Sequence, residues 1–264
     1  MKTNGDITNS DQLIIFCSMK KIQVLAIAVH PDDVELCCAG TLMVEKTLGK
    51  TTGVIDLTRG ELGTRGSGEL RLQEAAAAAR VMDLDIRENL GMPDGFFQNN
   101  EENQRLLIAA IRKYQPEIVL ASALADRHPD HGRAGKLISD SCFLSGLRKV
   151  ITKDENGAIQ QQWRPKYVFH FIQDRFFQPS FVYDISPVYD RKTEAIKCYG
   201  SQFHSATYDK DEPQTYISGP EFLSAVVGRD QMYGKMIGVK YAEGFISEKM
   251  IGVTRLDSFA QYDT

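Results

Sequence analysis

The run of residues 22–29 is apolar at every position but Gln23 and is built from Ile, Val, Leu and Ala. A strand with one wet face alternates apolar and polar side chains. This run does not, so both its faces are expected to be buried, as in the central strand of a parallel sheet covered by helices. The rest of the chain fits such a sheet. A helix is expected over residues 33–48 with Gly49 as its stop, then a strand at 52–57. The alanine-rich stretch 69–82 is helical by propensity, and a short strand at 86–90 ends in the turn Gly91-Met92-Pro93-Asp94-Gly95. A helix at 101–114 precedes Pro116, a strand at 118–121 and helical spacing over 131–150. Strands at 167–172 and 181–183 and helices at 187–199 and 220–233 complete the pattern. Strands separated by helices require right-handed crossovers. The expected fold is therefore α/β: a Rossmann-like, mainly parallel sheet with helices on both faces and strand order 3-2-1-4.

The first strand ends in His30, Pro31, Asp32 and Asp33, where a buried strand has no structural need of an imidazole and two carboxylates. About a hundred positions later Asp126, Arg127, His128, Pro129, Asp130 and His131 follow the strand at 118–121. In the order 3-2-1-4 these two strands are neighbours, and open α/β sheets bind ligands at the carboxyl ends of their strands. Two imidazoles and a carboxylate, with one position left for water, make an open catalytic zinc site. The candidates are His30, one of Asp32 and Asp33, and one of His128 and His131; spacing does not choose within either pair. The plain alternative is that these are helix caps and first-turn prolines. Two His-Pro-Asp stretches, each behind a strand, favour the metal.

Other features carry less. Cys37 and Cys38 are expected to pack in the core. His170 either lines the pocket or is a satisfied core histidine, and His204 is expected in a loop. The glycine-rich loop 58–68 lacks both a Gly-Lys-Ser/Thr ending and G-x-G-x-x-G, so it is no phosphate cradle. Its arginines suit an anionic substrate group; otherwise it is a surface loop.

Composition excludes several classes. The formal charge of the 264-residue chain is −4 and its Lys and Arg are scattered, which leaves no nucleic-acid footprint. No apolar run approaches the roughly 20 residues that span a bilayer. Five cysteines without a CxxC pair read as reduced thiols of a cytoplasmic protein. Residues 1–18 are expected to be an N-terminal appendage, the product of an upstream start codon, with one domain over 19–264.

The motifs Ala28 to Asp33 and His128 to His131 together resemble the PIG-L/LmbE-like zinc deacetylases. The loop from Thr58 to Gly66, the turn Asn89 to Gly95 and Ser201-Gln202-Phe203 resemble the N-acetylglucosaminyl-malate deacetylase branch of bacillithiol biosynthesis. Cys37-Cys38-Ala39 departs from the family's glycine-rich pattern. The resemblance implies Zn2+, or Fe2+ in the cell, on His30, Asp33 and His131. It makes Asp32 the general base and His128 the general acid or charge stabiliser, with Asp130 orienting His128. It further implies a small anionic sugar substrate and a homo-oligomer, with acetate and a free amine as products. Malate would bring two carboxylates, which Arg59, Arg65 and Arg127 are expected to clamp through paired hydrogen bonds. The rivals are a nucleotide-binding Rossmann protein, which lacks its glycines at the first turn, a non-catalytic zinc protein, and an amidase of thiol-sugar conjugates or a deacetylase of another N-acetylglucosamine derivative.

Overall fold

The computed structural model describes residues 21–203 and 213–256. The expectations for residues 1–18 and for His204 lie outside the described residues. The strands are β1 (Val24–Ala28), β2 (Thr52–Asp56), β3 (Ile86–Asn89), β4 (Ile118–Ala121), β5 (Tyr167–Phe171), β6 (Phe181–Asp184) and β7 (Ala242–Ser247). They form one sheet in the order β3-β2-β1-β4-β5-β7-β6. The first five are parallel, and β7 runs antiparallel to both of its neighbours. The expected order 3-2-1-4 is present.

The helices are α1 (Asp33–Cys37), α2 (Ala39–Thr47), α3 (Gly68–Met82), α4 (Glu101–Tyr114), α5 (Pro129–Leu144), α6 (Tyr189–Lys197) and α7 (Pro220–Met236), with a 3-10 turn at Ser186–Val188. They cover both faces of the sheet, and β1 shows why its sequence does not alternate. Val24, Ala26 and Ala28 enter a core shared with Leu42 of α2, Ala78 of α3, Ile196 of α6 and Val226 of α7. Leu25 and Ile27 enter the opposite core with Leu107 and Ile111 of α4 and Leu137 and Ile138 of α5. Each such Leu or Ile contributes about 1.5–3 kcal/mol on burial, so a shift of register by one residue would disrupt both cores. Helix starts follow ordinary capping: Ser67 accepts from Leu70 N at 3.2 Å, and Asn100 from Asn103 N at 3.0 Å. No helix among the described residues is long and apolar enough to cross a membrane.

Two expectations need correction. The helix expected over 33–48 is broken at Cys38, whose φ of −147° and ψ of 11° leave the helical region. The break creates a second helix N-terminus inside the core, and a buried carboxylate fills it. Glu243 accepts from Gly40 N at 3.0 Å, Thr41 N at 2.7 Å and Thr41 Oγ1 at 2.6 Å. An anion at a helix start satisfies orphan N–H groups and meets the positive end of the dipole. Lys192, itself buried, balances the charge by pairing with Glu243 at 2.9 Å and Asp230 at 2.6 Å.

The second correction is β7, a strand between β5 and the edge strand β6 that no sequence pattern announced. Glu243 and Gly244 in its middle disguise it. The glutamate serves α2 and Lys192, and a Cβ at Gly244 would lie 2.8 Å from the ring of Tyr233. A smaller difference concerns α5, which begins at Pro129 and ends at Leu144 rather than spanning 131–150.

Candidate active site

In the pairing of β1 with β4, Ile27 lies opposite Ala121, so the two chains leave the sheet side by side. Residues 30–33 and 126–131 therefore meet. The ring of His30 lies 5.0 Å from that of His128 and 5.6 Å from that of His131, and the latter two are 5.1 Å apart, centroid to centroid. Ligating atoms of His30, Asp33 and His131 fall within 4.8 Å of one another, and so do those of His30, His128 and Asp130.

Carboxylates surround the imidazoles. Asp33 Oδ1 lies 3.3 Å from His131 Nε2, and its Oδ2 accepts from His30 N at 2.9 Å. The other nitrogen of His131, Nδ1, is 2.6 Å from Asp126 Oδ2, while Asp126 Oδ1 accepts from the backbone amides of Asp174 and Arg175. His30 Nε2 is 2.9 Å from Asp94 Oδ1. Gln173 Nε2 donates to Asp33 Oδ1 at 2.5 Å and lies 3.3 Å from His131 Nε2. Burial pulls both imidazoles down. The carboxylates outweigh it and hold His30 up at about 9 and His131 at about 10. Burial likewise favours protonated Asp33, yet the two histidines hold its carboxyl well below the usual range. Asp94, opposed by burial but bonded to His30, lies at about 2. Electrostatically this is a site that favours cations.

Asp32 stands apart from that group. Its φ of 129° and ψ of −27° place a non-glycine residue in a region costing on the order of 1–3 kcal/mol, the kind of strain that collects at functional positions. Arg71 of α3 holds it there: Nη2 donates to Pro31 O at 2.7 Å and to Asp32 Oδ2 at 2.8 Å. Gly60 makes room for that guanidinium, since a Cβ there would fall 2.1 Å from Nη1, and its φ of +65° also suits glycine. Burial pushes the Asp32 carboxyl up, Arg71 opposes this and Asp33 adds to it, leaving Asp32 at about 7.

His128 is the N-cap of α5, and its Nδ1 accepts from Asp130 N at 3.3 Å. The capping alternative was thus partly correct, for the same residue caps a helix and faces the cavity. The carboxylate of Asp130, expected to orient His128, instead accepts from Gly95 N at 2.9 Å and Arg133 Nη1 at 2.8 Å. The bond to the imidazole comes from the backbone amide, because the first turn of α5 turns the side chain the other way. Burial and the charges of His30 and His131 push His128 below its ordinary value.

The cluster opens into a cavity of ≈ 770 Å³. Of the three arginines singled out from sequence, Arg127 lines it, paired with Asp174 at 3.1 Å and lying over the Tyr216 ring at 4.1 Å. Arg59 and Arg65 do not line it. Arg59 is exposed near Gly91, whereas Arg65 is buried and its carbonyl accepts from Gln202 Nε2 at 2.9 Å. The glycine-rich loop contributes Leu62, Gly63 and Thr64 to the wall instead. His170 is a satisfied core histidine, buried between Ser122 O at 2.6 Å and Glu248 Oε1 at 2.9 Å. Cys37 and Cys38 pack in the core.

Sequence reasoning gave no role to Arg71, Asp94, Asp126 or Gln173. Asp126 and Asp94 were within reach: one opens the second motif, and the other sits in the turn behind a neighbouring strand's carboxyl end. An arginine beside an alanine run and a glutamine after β5 carried no signal.

Residues 25–142 match the family PIG-L, GlcNAc-PI de-N-acetylase. A crystal structure of a conserved protein from Thermus thermophilus is 36% identical, superposes with a TM-score of 0.79, and covers 90% of this chain and 100% of its own. The chain belongs to the PIG-L family. Other relatives of this PIG-L chain have named activities. A diacetylchitobiose deacetylase of Thermococcus kodakarensis is 28% identical over 87% of this chain and 83% of its own. A probable N-acetyl-alpha-D-glucosaminyl L-malate deacetylase 2 of Bacillus anthracis is 24% identical over 68% of this chain and 81% of its own. A 4-oxalmesaconate hydratase of Pseudomonas putida is 26% identical over 70% and 75%. The relatives of this chain thus differ in the substrate their names give, and one of them differs in reaction.

Proposed function

We propose that this chain is a metal-dependent hydrolase that removes the acetyl group from an N-acetylglucosamine conjugate, with His30, Asp33 and His131 holding one divalent ion, Zn2+ or Fe2+. The observation that carries the proposal is the division of labour between adjacent carboxylates: Asp33 faces both imidazoles, while Asp32 is turned away and clamped by Arg71. The donor set fits such an ion. Two imidazoles and a carboxylate leave room for exogenous ligands, and Asp126 on His131 Nδ1 leaves Nε2 directed at Asp33, a carboxylate–histidine arrangement common around ligating imidazoles. The alternative trio with His128 and Asp130 fits less well, since Asp130 is already held by Gly95 and Arg133.

A bound ion of this kind polarises a carbonyl and lowers the pKa of water, to about 7 in favourable sites. The protein's part is proton traffic. Arg71 occupies Asp32 Oδ2, leaving Oδ1 to take a proton from the attacking water. His128 Nδ1 accepts from the Asp130 amide, so its one proton sits on Nε2, where it can donate a hydrogen bond to the carbonyl oxygen as charge gathers there, while the proton taken up by Asp32 passes to the departing amine. Water and amide give acetate and a free amine. The hydratase relative supports a second reading, addition of water to a carbon–carbon double bond at the same cluster.

Support for malate as the aglycone is narrower than for deacetylation. It rests on the resemblance of the glycine-rich loop and on one relative, and only one of its three arginines lines the cavity. The deciding experiment is amine release from N-acetylglucosaminyl-malate, diacetylchitobiose and free N-acetylglucosamine, with metal content measured on the same preparation. Amine release from none of them at full metal occupancy would overturn the proposal.

A further inference from the structure

Ser201-Gln202-Phe203 has no part in the chemistry above, yet Gln202 lines the cavity while only 5% exposed. A polar side chain buried to that degree is expected to use each of its hydrogen-bonding atoms. The amide nitrogen does so: Nε2 donates to Arg65 O and to Ser201 Oγ, each at 2.9 Å. The amide oxygen does not. Oε1 accepts from none of the described residues, and it is not sealed inside the protein as Tyr233 Oη is. What lies open to it is the cavity that Gln202 lines.

Buried neighbours fix which way the amide faces. Glu74 of α3 accepts from Ser201 N at 2.8 Å and from Ser201 Oγ at 2.7 Å, so the hydroxyl proton is spent and Oγ is left to accept. Arg65 O can only accept. Both neighbours therefore require the nitrogen side of the amide, and turning it over would set Oε1 against two acceptors. The oxygen is held in place before any ligand arrives, a preorganised acceptor that lacks a donor.

Its place relative to the reaction follows from α3. Arg71 and Glu74 are buried and three residues apart on that helix, which sets their Cβ atoms about 5–6 Å apart on one face. Arg71 holds Asp32, and Glu74 holds Ser201 and through it Gln202. Gly66 admits the contact, since a Cβ there would lie 3.0 Å from Ser201 and its φ is +72°. Neighbouring residues of one helix thus pin Asp32 and Gln202 to the same cavity.

We infer that Gln202 is a specificity-determining residue whose Oε1 accepts a hydrogen bond from one hydroxyl of the sugar. This rests on the deacetylase reading, which sets the acetamido group at the histidine cluster and leaves the ring hydroxyls to the walls around it. A locked acceptor selects for a donor, because a sugar without that hydroxyl leaves Oε1 stranded under the ligand.

Amine release from methyl N-acetylglucosaminide and its 3-, 4- and 6-deoxy analogues tests this on the metal-loaded full chain. One deoxy analogue should fall roughly 10- to 100-fold below the parent sugar in kcat/KM. In Gln202→Met that ratio should collapse to about one, because the parent sugar loses a bond that the analogue never made. A purely structural Gln202 would instead lower all four sugars together and leave the ratio alone. Should Gln202→Met fail to fold, Gln202→Asn takes its place, since shortening by one methylene withdraws the oxygen and keeps the amide. An unchanged ratio in the variant, or a wild type that treats all four sugars alike, overturns the inference. If no sugar is deacetylated, the deacetylase reading falls and calorimetry with methyl glucosaminide and its deoxy analogues decides. A deoxy penalty in binding that disappears in the variant then supports the acceptor on its own. Binding without such a penalty, or no binding, overturns the role of Gln202 as well.

Discussion

Replacing Arg71 with methionine should unfasten Asp32 while leaving the proposed metal ligands in place. The guanidinium donates to Pro31 O at 2.7 Å and to Asp32 Oδ2 at 2.8 Å, and both partners in the ion pair are buried. Removing one member of a buried pair costs about 3–5 kcal/mol, because the other is left uncompensated. Part returns as strain, for Asp32 at φ 129° stores on the order of 1–3 kcal/mol that the loosened chain can release. The net loss expected in urea unfolding is therefore about 2 kcal/mol or more. The same change in an Asp32→Asn background should cost clearly less, since no carboxylate is stranded, and the double-mutant cycle isolates that coupling. Turnover of Arg71→Met should fall with metal content unchanged. Equal costs in both backgrounds, or normal turnover in the single variant, would refute the clamp.

Other outcomes follow from the same contacts. Glu243→Ala leaves the amides of Gly40 and Thr41 without their acceptor and Lys192 with Asp230 alone, so it should cost about 3–5 kcal/mol in urea unfolding, with Lys192→Met restoring part of the loss. Asp126→Ala frees His131 Nδ1 and should weaken metal affinity about 10–100-fold, as read by competition with a chelating dye. Glu248 is held below its ordinary 4.5 by its bond to His170, against burial. Its stabilising contribution is therefore complete above about pH 4.5 and is lost as pH falls through the lowered value; Glu248→Gln should flatten the acid limb of the stability profile, and an unchanged limb would count against the bond.

How much of this was legible beforehand depends on the range of the contact. The unbroken apolar run of β1 and the alternation after it lead directly to a parallel sheet, and the sheet order brings the two His-Pro-Asp stretches together. Those are local patterns plus topology. Glu243 and Gly244 hid β7, because a buried charge and a missing side chain look like a loop until Lys192, Gly40 and Tyr233 are in place around them. The break at Cys38 escaped for the same reason, since its stabilising carboxylate lies over 200 residues away in the chain. Among site residues, those within the two motifs were readable. Arg71 and Gln173 were not, because their roles exist only across α3 and β5. Conversely, Arg59 and Arg65 looked functional by composition of their loop, yet its backbone turns lead them away from the cavity while Gly60 admits Arg71.

In the proposed function the adjacent carboxylates at the end of β1 do different work, Asp33 holding the metal and Asp32 handling the proton. Metal content and amine release measured together on Asp32→Asn and Asp33→Asn test it most directly. Asp33→Asn should lose most of its metal and its activity together, whereas Asp32→Asn should keep a full complement of metal and lose turnover. Near-normal turnover of Asp32→Asn at full occupancy, or an undiminished metal content in Asp33→Asn, would contradict it.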